Sequence, residues 1–149
     1  MNFRINIVGT TGVGKTSFIN RHLNGEFSSE PKADVSIKLY TNVGPVIFEL
    51  IESTSPVVAN GYIIMFDIGD HETYNYALKY LNQIFRPRVL CGNKADTLDI
   101  SPIDLHYYKP DDCEFYLVSA KGMYNYEKPF YSLCKSLIPS FSGFTDISS

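Results

Sequence analysis

Eight residues near the start, Gly9-Thr10-Thr11-Gly12-Val13-Gly14-Lys15-Thr16, narrow the folding options of this chain more than any other stretch. They fit the pattern G-x-x-x-x-G-K-[ST]. An apolar run, Phe3–Val8, precedes them and reads as a buried strand; a helical segment, Lys15–Leu23, follows. The spacing has a physical reason. Glycines let the backbone curl until successive N–H groups point inward at phosphate oxygens. Lys15 reaches the outer phosphates, the Thr16 hydroxyl ligates Mg²⁺, and the helix aims the positive end of its dipole at the same anion. The candidate phosphate contacts are therefore Gly9, Thr11, Gly12, Val13, Gly14, Lys15, Thr16 and Ser17. A glycine-rich turn without a ligand is the plainer alternative, and the flanking strand and helix weigh against it.

Two further motifs stand at the ends of later strands. Asn93-Lys94-Ala95-Asp96 follows the apolar stretch Val89-Leu90-Cys91. A carboxylate at Asp96 accepts hydrogen bonds from the N1–H and exocyclic amine of guanine, a donor pair that adenine lacks. Asn93 is placed to tie this loop to the phosphate loop, and the Lys94 stem to lie along the base. Ser119-Ala120-Lys121 follows the strand Phe115–Val118, and the Ala120 N–H is placed to donate to guanine O6. Each short motif is weak alone; in this order, each after a strand, they point to a guanine nucleotide, GTP or GDP, held with Mg²⁺.

The phosphate loop, Asn93-Lys94-x-Asp96 and Ser119-Ala120-Lys121 together resemble the small GTPases of the Ras superfamily. The resemblance narrows to the Ran branch through Arg21–Phe27, Thr41–Pro45, Ile63–Asp67, Val89–Lys94 and Tyr124–Phe130, blocks spread over nearly the whole chain. It implies that Phe27 meets the guanine edge-on; a helix-flanking core aromatic is the alternative at that position. It also implies nuclear-transport or Ran-regulatory proteins as partners, and a cytoplasmic or nuclear location.

The departures matter equally. Members of the superfamily sense the third phosphate through two mobile segments. The first supplies a threonine to Mg²⁺; here the matching stretch, Ser28–Val35, is short and contains none. The second begins Asp-x-x-Gly followed by a glutamine that positions the attacking water. Here it reads Glu52-Ser53-Thr54-Ser55-Pro56. Glu52 keeps a carboxylate able to hold Mg²⁺, through a water, one methylene further out. Proline offers neither an N–H nor an amide, so Pro56 cannot orient water. No residue is assigned a catalytic role. The resemblance thus implies a Ran-like GTP/GDP-binding protein with slow or absent hydrolysis, or a non-catalytic binding module on the same fold.

Chain length sharpens one point. Ten residues separate Ile51 from Tyr62. In the family's sheet order this link runs back along one strand and crosses the first strand, about 25–30 Å. Ten extended residues reach about 33–36 Å. The link closes only nearly straight, so Ser53–Gly61 is expected to be extended, the second switch helix is missing, and one sheet face is less covered.

The remaining reading is of an α/β domain with a doubly wound, mostly parallel six-stranded sheet and flanking helices. Strands are expected at Phe3–Val8, Ser36–Thr41, Val46–Ile51, Tyr62–Asp67, Arg88–Gly92 and Phe115–Val118. Helices are expected at Lys15–Leu23, Tyr74–Phe85 and Glu127–Leu137, with a hairpin turn at Asn42–Pro45 and a short turn near Ile103–Tyr108. One domain spans 1–138, and the Ser- and Gly-rich tail 139–149 is expected to fray. A net charge of −3 gives no footprint for nucleic acid. Cys91, Cys113 and Cys134 lack metal-ligand spacing and read as reduced thiols, Cys91 as core. His22, His71 and His106 form no metal set. Asp67 is expected to steady the loop below the phosphates or to cap the turn after it. The final residues hold no cysteine for prenylation, so no membrane anchor is expected. The scattered tyrosines, among them Tyr74, Tyr76, Tyr80 and Tyr131, serve either an interface or the core.

Overall fold

A run of buried aliphatic residues, Ile5, Ile7 and Val8, puts β1 (Asn2–Val8) in the middle of the sheet, where both faces must be covered. The computed structural model describes residues 1–24, 35–94, 113–119, 125 and 127–145. After β1 come α1 (Lys15–Asn24), β2 (Ser36–Thr41), β3 (Gly44–Ser53), β4 (Gly61–Asp67), α2 (His71–Gln83), β5 (Arg88–Asn93), β6 (Glu114–Leu117) and α3 (Lys128–Leu137). The strands form one six-stranded sheet in the order β2-β3-β1-β4-β5-β6. Among these six strands β2 and β3 pair antiparallel, and the other neighbours pair in parallel. No helix among the described residues is long and apolar enough to cross a membrane.

Each face carries its own core. On one, α1 and α3 close over Ile5, Phe48, Ile63 and Val89. Phe130 stacks on Phe18 at 5.9 Å and lies 6.0 Å from Phe48. Cys91 is fully buried here, as the apolar strand implied, and burial pushes its thiol pKa well up. On the other face α2 lays Tyr74, Ala77 and Leu81 over Tyr62, Ile64 and Phe66. Tyr74 is thus a core ring, whereas Tyr76 is exposed.

Most strand and helix ends differ from expectation by one or two residues, and at three places a specific contact explains the difference. Helix α2 starts at His71 rather than Tyr74, because the Asp70 carboxylate caps it by accepting from the Glu72 N–H at 3.1 Å. It ends at Gln83 rather than Phe85, where Ile84 turns into the core and Phe85 into solvent. The hairpin turn tightens to Asn42-Val43, because the Thr41 hydroxyl accepts from the Val43 N–H and donates to the Gly44 carbonyl. The turn expected near Ile103–Tyr108 lies outside the described residues.

Residues 139–145 do not fray. The Asn42 N–H donates to the Gly143 carbonyl, and the Thr145 N–H to the Tyr40 carbonyl. The Asn42 side chain donates to the Ser140 carbonyl at 2.9 Å and accepts from the Ser142 N–H at 2.8 Å. Phe141, Phe144 and Tyr131 pack edge to face. This segment lies across the end of the β2–β3 hairpin.

The link from β3 to β4, residues 54–60, contains no helical turn, but it bends at Thr54, Ser55, Val58 and Asn60 rather than running nearly straight. As the length argument required, it carries the chain from one neighbour of β1 to the other. The outer face of β2, β3 and the start of β1 presents Lys38, Ile47, Glu49 and Arg4 to solvent, with no helix over it among the described residues.

Candidate functional site

The carboxyl ends of β1, β3, β5 and β6 lie along one edge of the sheet. The strand order reverses around β1, whose neighbours are β3 and β4, and a crevice at such a switch point is where open α/β sheets take ligands. The phosphate loop leaves β1 there. Gly14 has φ +98°, and a Cβ on it would sit 2.4 Å from the Asn93 amide nitrogen, so only glycine fits. At Gly9 a Cβ would sit 2.4 Å from the Met65 carbonyl oxygen of β4, so glycine also permits the close approach of loop and sheet. The Phe18 N–H donates to the Gly14 carbonyl at 3.0 Å, which starts α1 directly on the loop.

Two strand ends brace this loop from behind. Asn93, at the end of β5, donates from its amide to the Val13 carbonyl at 2.9 Å. Lys94 adopts φ +64°, a left-handed conformation rare for a side chain of its length. From there its ammonium donates to the Gly12 carbonyl at 2.7 Å and pairs with Asp67 at 3.1 Å. The other Asp67 oxygen accepts from the Gly69 N–H at 2.8 Å. Asp67 therefore does both things expected of it: it ties into the loop, through Lys94, and it caps the turn.

Lys15 lies nearly buried, its ammonium donating to the Gly9 carbonyl and, at 3.4 Å, to that of Thr10. Burial lowers its pKa, and the Glu52 carboxylate nearby opposes that shift. Glu52, near the end of β3, accepts from the Thr16 hydroxyl at 2.5 Å. Two oxygen donors of this kind suit a hard divalent cation such as Mg²⁺. An open cleft of about 650 Å³ is lined by Thr11, Gly12, Lys15, Thr16, Glu52 and Lys94, with Gly14, Ser17, Ser53 and Thr54 completing its walls. Val13 contributes its carbonyl while its side chain is buried in the core.

Of the residues expected from sequence, the structure brings Gly9, Thr11, Gly12, Val13, Gly14, Lys15, Thr16, Ser17, Glu52, Asn93 and Lys94 together. Ser119 follows Val118, whose N–H donates to the Gly92 carbonyl, and is fully buried just beyond β6. Phe27, Asp96, Ala120 and Lys121 lie outside the described residues.

Sequence reasoning passed over Asn6. It is the polar residue flanked on both sides by isoleucine in the apolar run Phe3–Val8, which was the available signal. It is fully buried and holds the chain on both sides of Glu52.

Comparison with known protein families matches the model of the Ras family to residues 32–139. The matched span begins downstream of Gly9–Thr16, so the phosphate loop and the family match are independent observations.

Proposed function

The chain belongs to the Ras family of small GTPases and is a guanine-nucleotide-binding protein; we propose that within this family it is Ran-like and turns GTP over slowly or not at all. One contrast carries the reading. The groups that would hold the nucleotide are braced together, with Asn93 and Lys94 hydrogen-bonded to the phosphate loop. The group that would position the attacking water is Pro56, which has no hydrogen to donate and no amide. The Ran-like part rests on the blocks Arg21–Phe27, Thr41–Pro45 and Tyr124–Phe130.

The roles follow from the site. Backbone N–H groups of the loop and the start of α1 bind the inner phosphates, and Lys15 neutralises the outer ones. Thr16 and Glu52 would hold Mg²⁺, which supplies charge neutralisation at the phosphates when bound. Asp96, with Ala120 beside the base, selects guanine. A general base is missing from this set, so hydrolysis would rely on water that the protein does not orient.

A second reading, a non-catalytic binding module that engages partners of nuclear-transport GTPases, is favoured by the helix-free link 54–60 and the open sheet face beside it. One experiment separates the two. Nucleotide released by denaturing the purified protein is identified by chromatography, and steady-state phosphate release is measured on the reloaded protein. Bound nucleotide with slow phosphate release supports the enzyme. Bound nucleotide with no release above background supports the module. An empty pocket that refuses reloading refutes nucleotide binding. Lys15→Ala should abolish binding, and Asp96→Asn should weaken the preference for guanine over adenine nucleotides; unchanged preference would remove Asp96 from its role.

A further inference from the structure

We propose that Asn6 is a positioning residue that fixes the link 54–60 as a static strap and sets Glu52 in the cleft, so that this link holds one conformation whether two or three phosphates are bound. The inference rests on the guanine-nucleotide reading only for the identity of the ligand.

The geometry begins with a buried amide. Asn6 sits between Ile5 and Ile7 in the centre of the sheet with no solvent exposure. A polar side chain so placed must find partners within the protein. It finds three. Its amide nitrogen donates to the Ile51 carbonyl at 2.8 Å and to the Ser53 hydroxyl at 2.9 Å, the residues on either side of Glu52. Its oxygen accepts from the Val57 N–H at 3.1 Å. One side chain thus anchors the end of β3 and the middle of the link.

Further bonds continue along the link. The Ser53 hydroxyl donates to the Ser55 carbonyl at 2.7 Å, and the Ser53 carbonyl accepts from the Gly9 N–H at 3.2 Å. The Tyr80 hydroxyl, from α2, donates to the Thr54 carbonyl at 2.7 Å. The Tyr62 hydroxyl donates to the Val57 carbonyl at 2.6 Å and accepts from the Ala59 N–H at 3.1 Å. The Asn60 N–H donates to the Arg4 carbonyl at 2.8 Å, and its side chain accepts from the Arg4 N–H. These groups come from β1 and the Gly9 turn after it, β4 and α2, elements packed into the two cores.

A bound ligand shifts a conformational equilibrium only through contacts that differ between the states. A strap tied at so many points along seven residues has no second arrangement of similar energy without breaking several of these bonds. Its ties also explain why Glu52 meets Thr16: Asn6 grips the backbone from one face of the sheet while the Glu52 side chain projects from the other.

The test uses the full chain. Amide hydrogen exchange is measured with GDP bound and with the imido analogue of GTP bound. The release rate of a fluorescent GDP is measured for Asn6→Val, Glu52→Gln and the double variant. The proposal expects the Val57 and Ala59 amides to be about a hundredfold or more slower than in an unstructured peptide, at the same rate in both states. It expects the double variant to release GDP no faster than Glu52→Gln alone, because both changes remove one function. A difference of about tenfold between nucleotide states, or additive release rates, would overturn it. If neither nucleotide binds, the functional reading fails, and the strap is judged on the free protein: protected amides support it and unprotected ones refute it. If Asn6→Val does not fold, Tyr62→Phe removes the hydroxyl that serves Val57 and Ala59, and unchanged Ala59 exchange would refute the strap.

Discussion

At Gly14 two requirements meet in one residue. The backbone needs φ +98°, and the Asn93 amide occupies the space where a Cβ would stand. Gly14→Ala therefore strains the loop and pushes Asn93 off the Val13 carbonyl. The expected cost is about 1–3 kcal/mol of stability, together with a loss of nucleotide affinity, read by chemical denaturation and nucleotide titration. Unchanged affinity would show that the Asn93 brace is dispensable. The loop residues were legible because their chemistry is carried by fixed local spacing. Asp67 was largely legible: its place at a strand end suggested a cap or a tie to the loop, whereas the ion pair with Lys94 that makes the tie depends on the left-handed backbone at Lys94, which no residue type announces. Asn6 was only partly legible: its place between Ile5 and Ile7 signals a buried amide, but its partners lie far along the chain.

At the scale of elements, strand positions followed from apolar runs, and the bare link between β3 and β4 followed from length alone. Helix ends were less legible, because caps decide them: Asp70 starts α2 earlier than its apolar pattern does. The segment 139–145 defied its composition. Its serines and glycine suggested fraying, but Phe141 and Phe144 find Tyr131, and Asn42 supplies two hydrogen bonds across the hairpin end. Removing those bonds with Asn42→Ala should cost about 1–3 kcal/mol and raise amide exchange at Ser142 and Thr145 selectively. Equal exchange in variant and parent would mean the aromatic cluster alone holds the segment.

At the scale of the molecule, two cores share one sheet, and the nucleotide cleft lies at the edge where the loop, β3 and β5 come together. A ligand there bridges elements that belong to both cores, so binding should stabilise the whole fold. Guanine nucleotide at a hundred times its Kd should add about 2.7 kcal/mol, raising Tm by about 5–11 °C for a domain of this size, while adenine nucleotide at the same concentration should add little. A shift produced equally by both would mean that base selection fails. The sheet also has an edge to protect. Strand β2 borders solvent, and a bare edge strand is a template for pairing with another chain. Phe144 bridges to Thr41, and Thr145 donates to Tyr40, on the side of β2 away from β3. The segment that packs the aromatic cluster thus also occupies part of the edge where a neighbouring molecule would otherwise add its own strand, and trimming it would trade a well-behaved solution for a self-associating one.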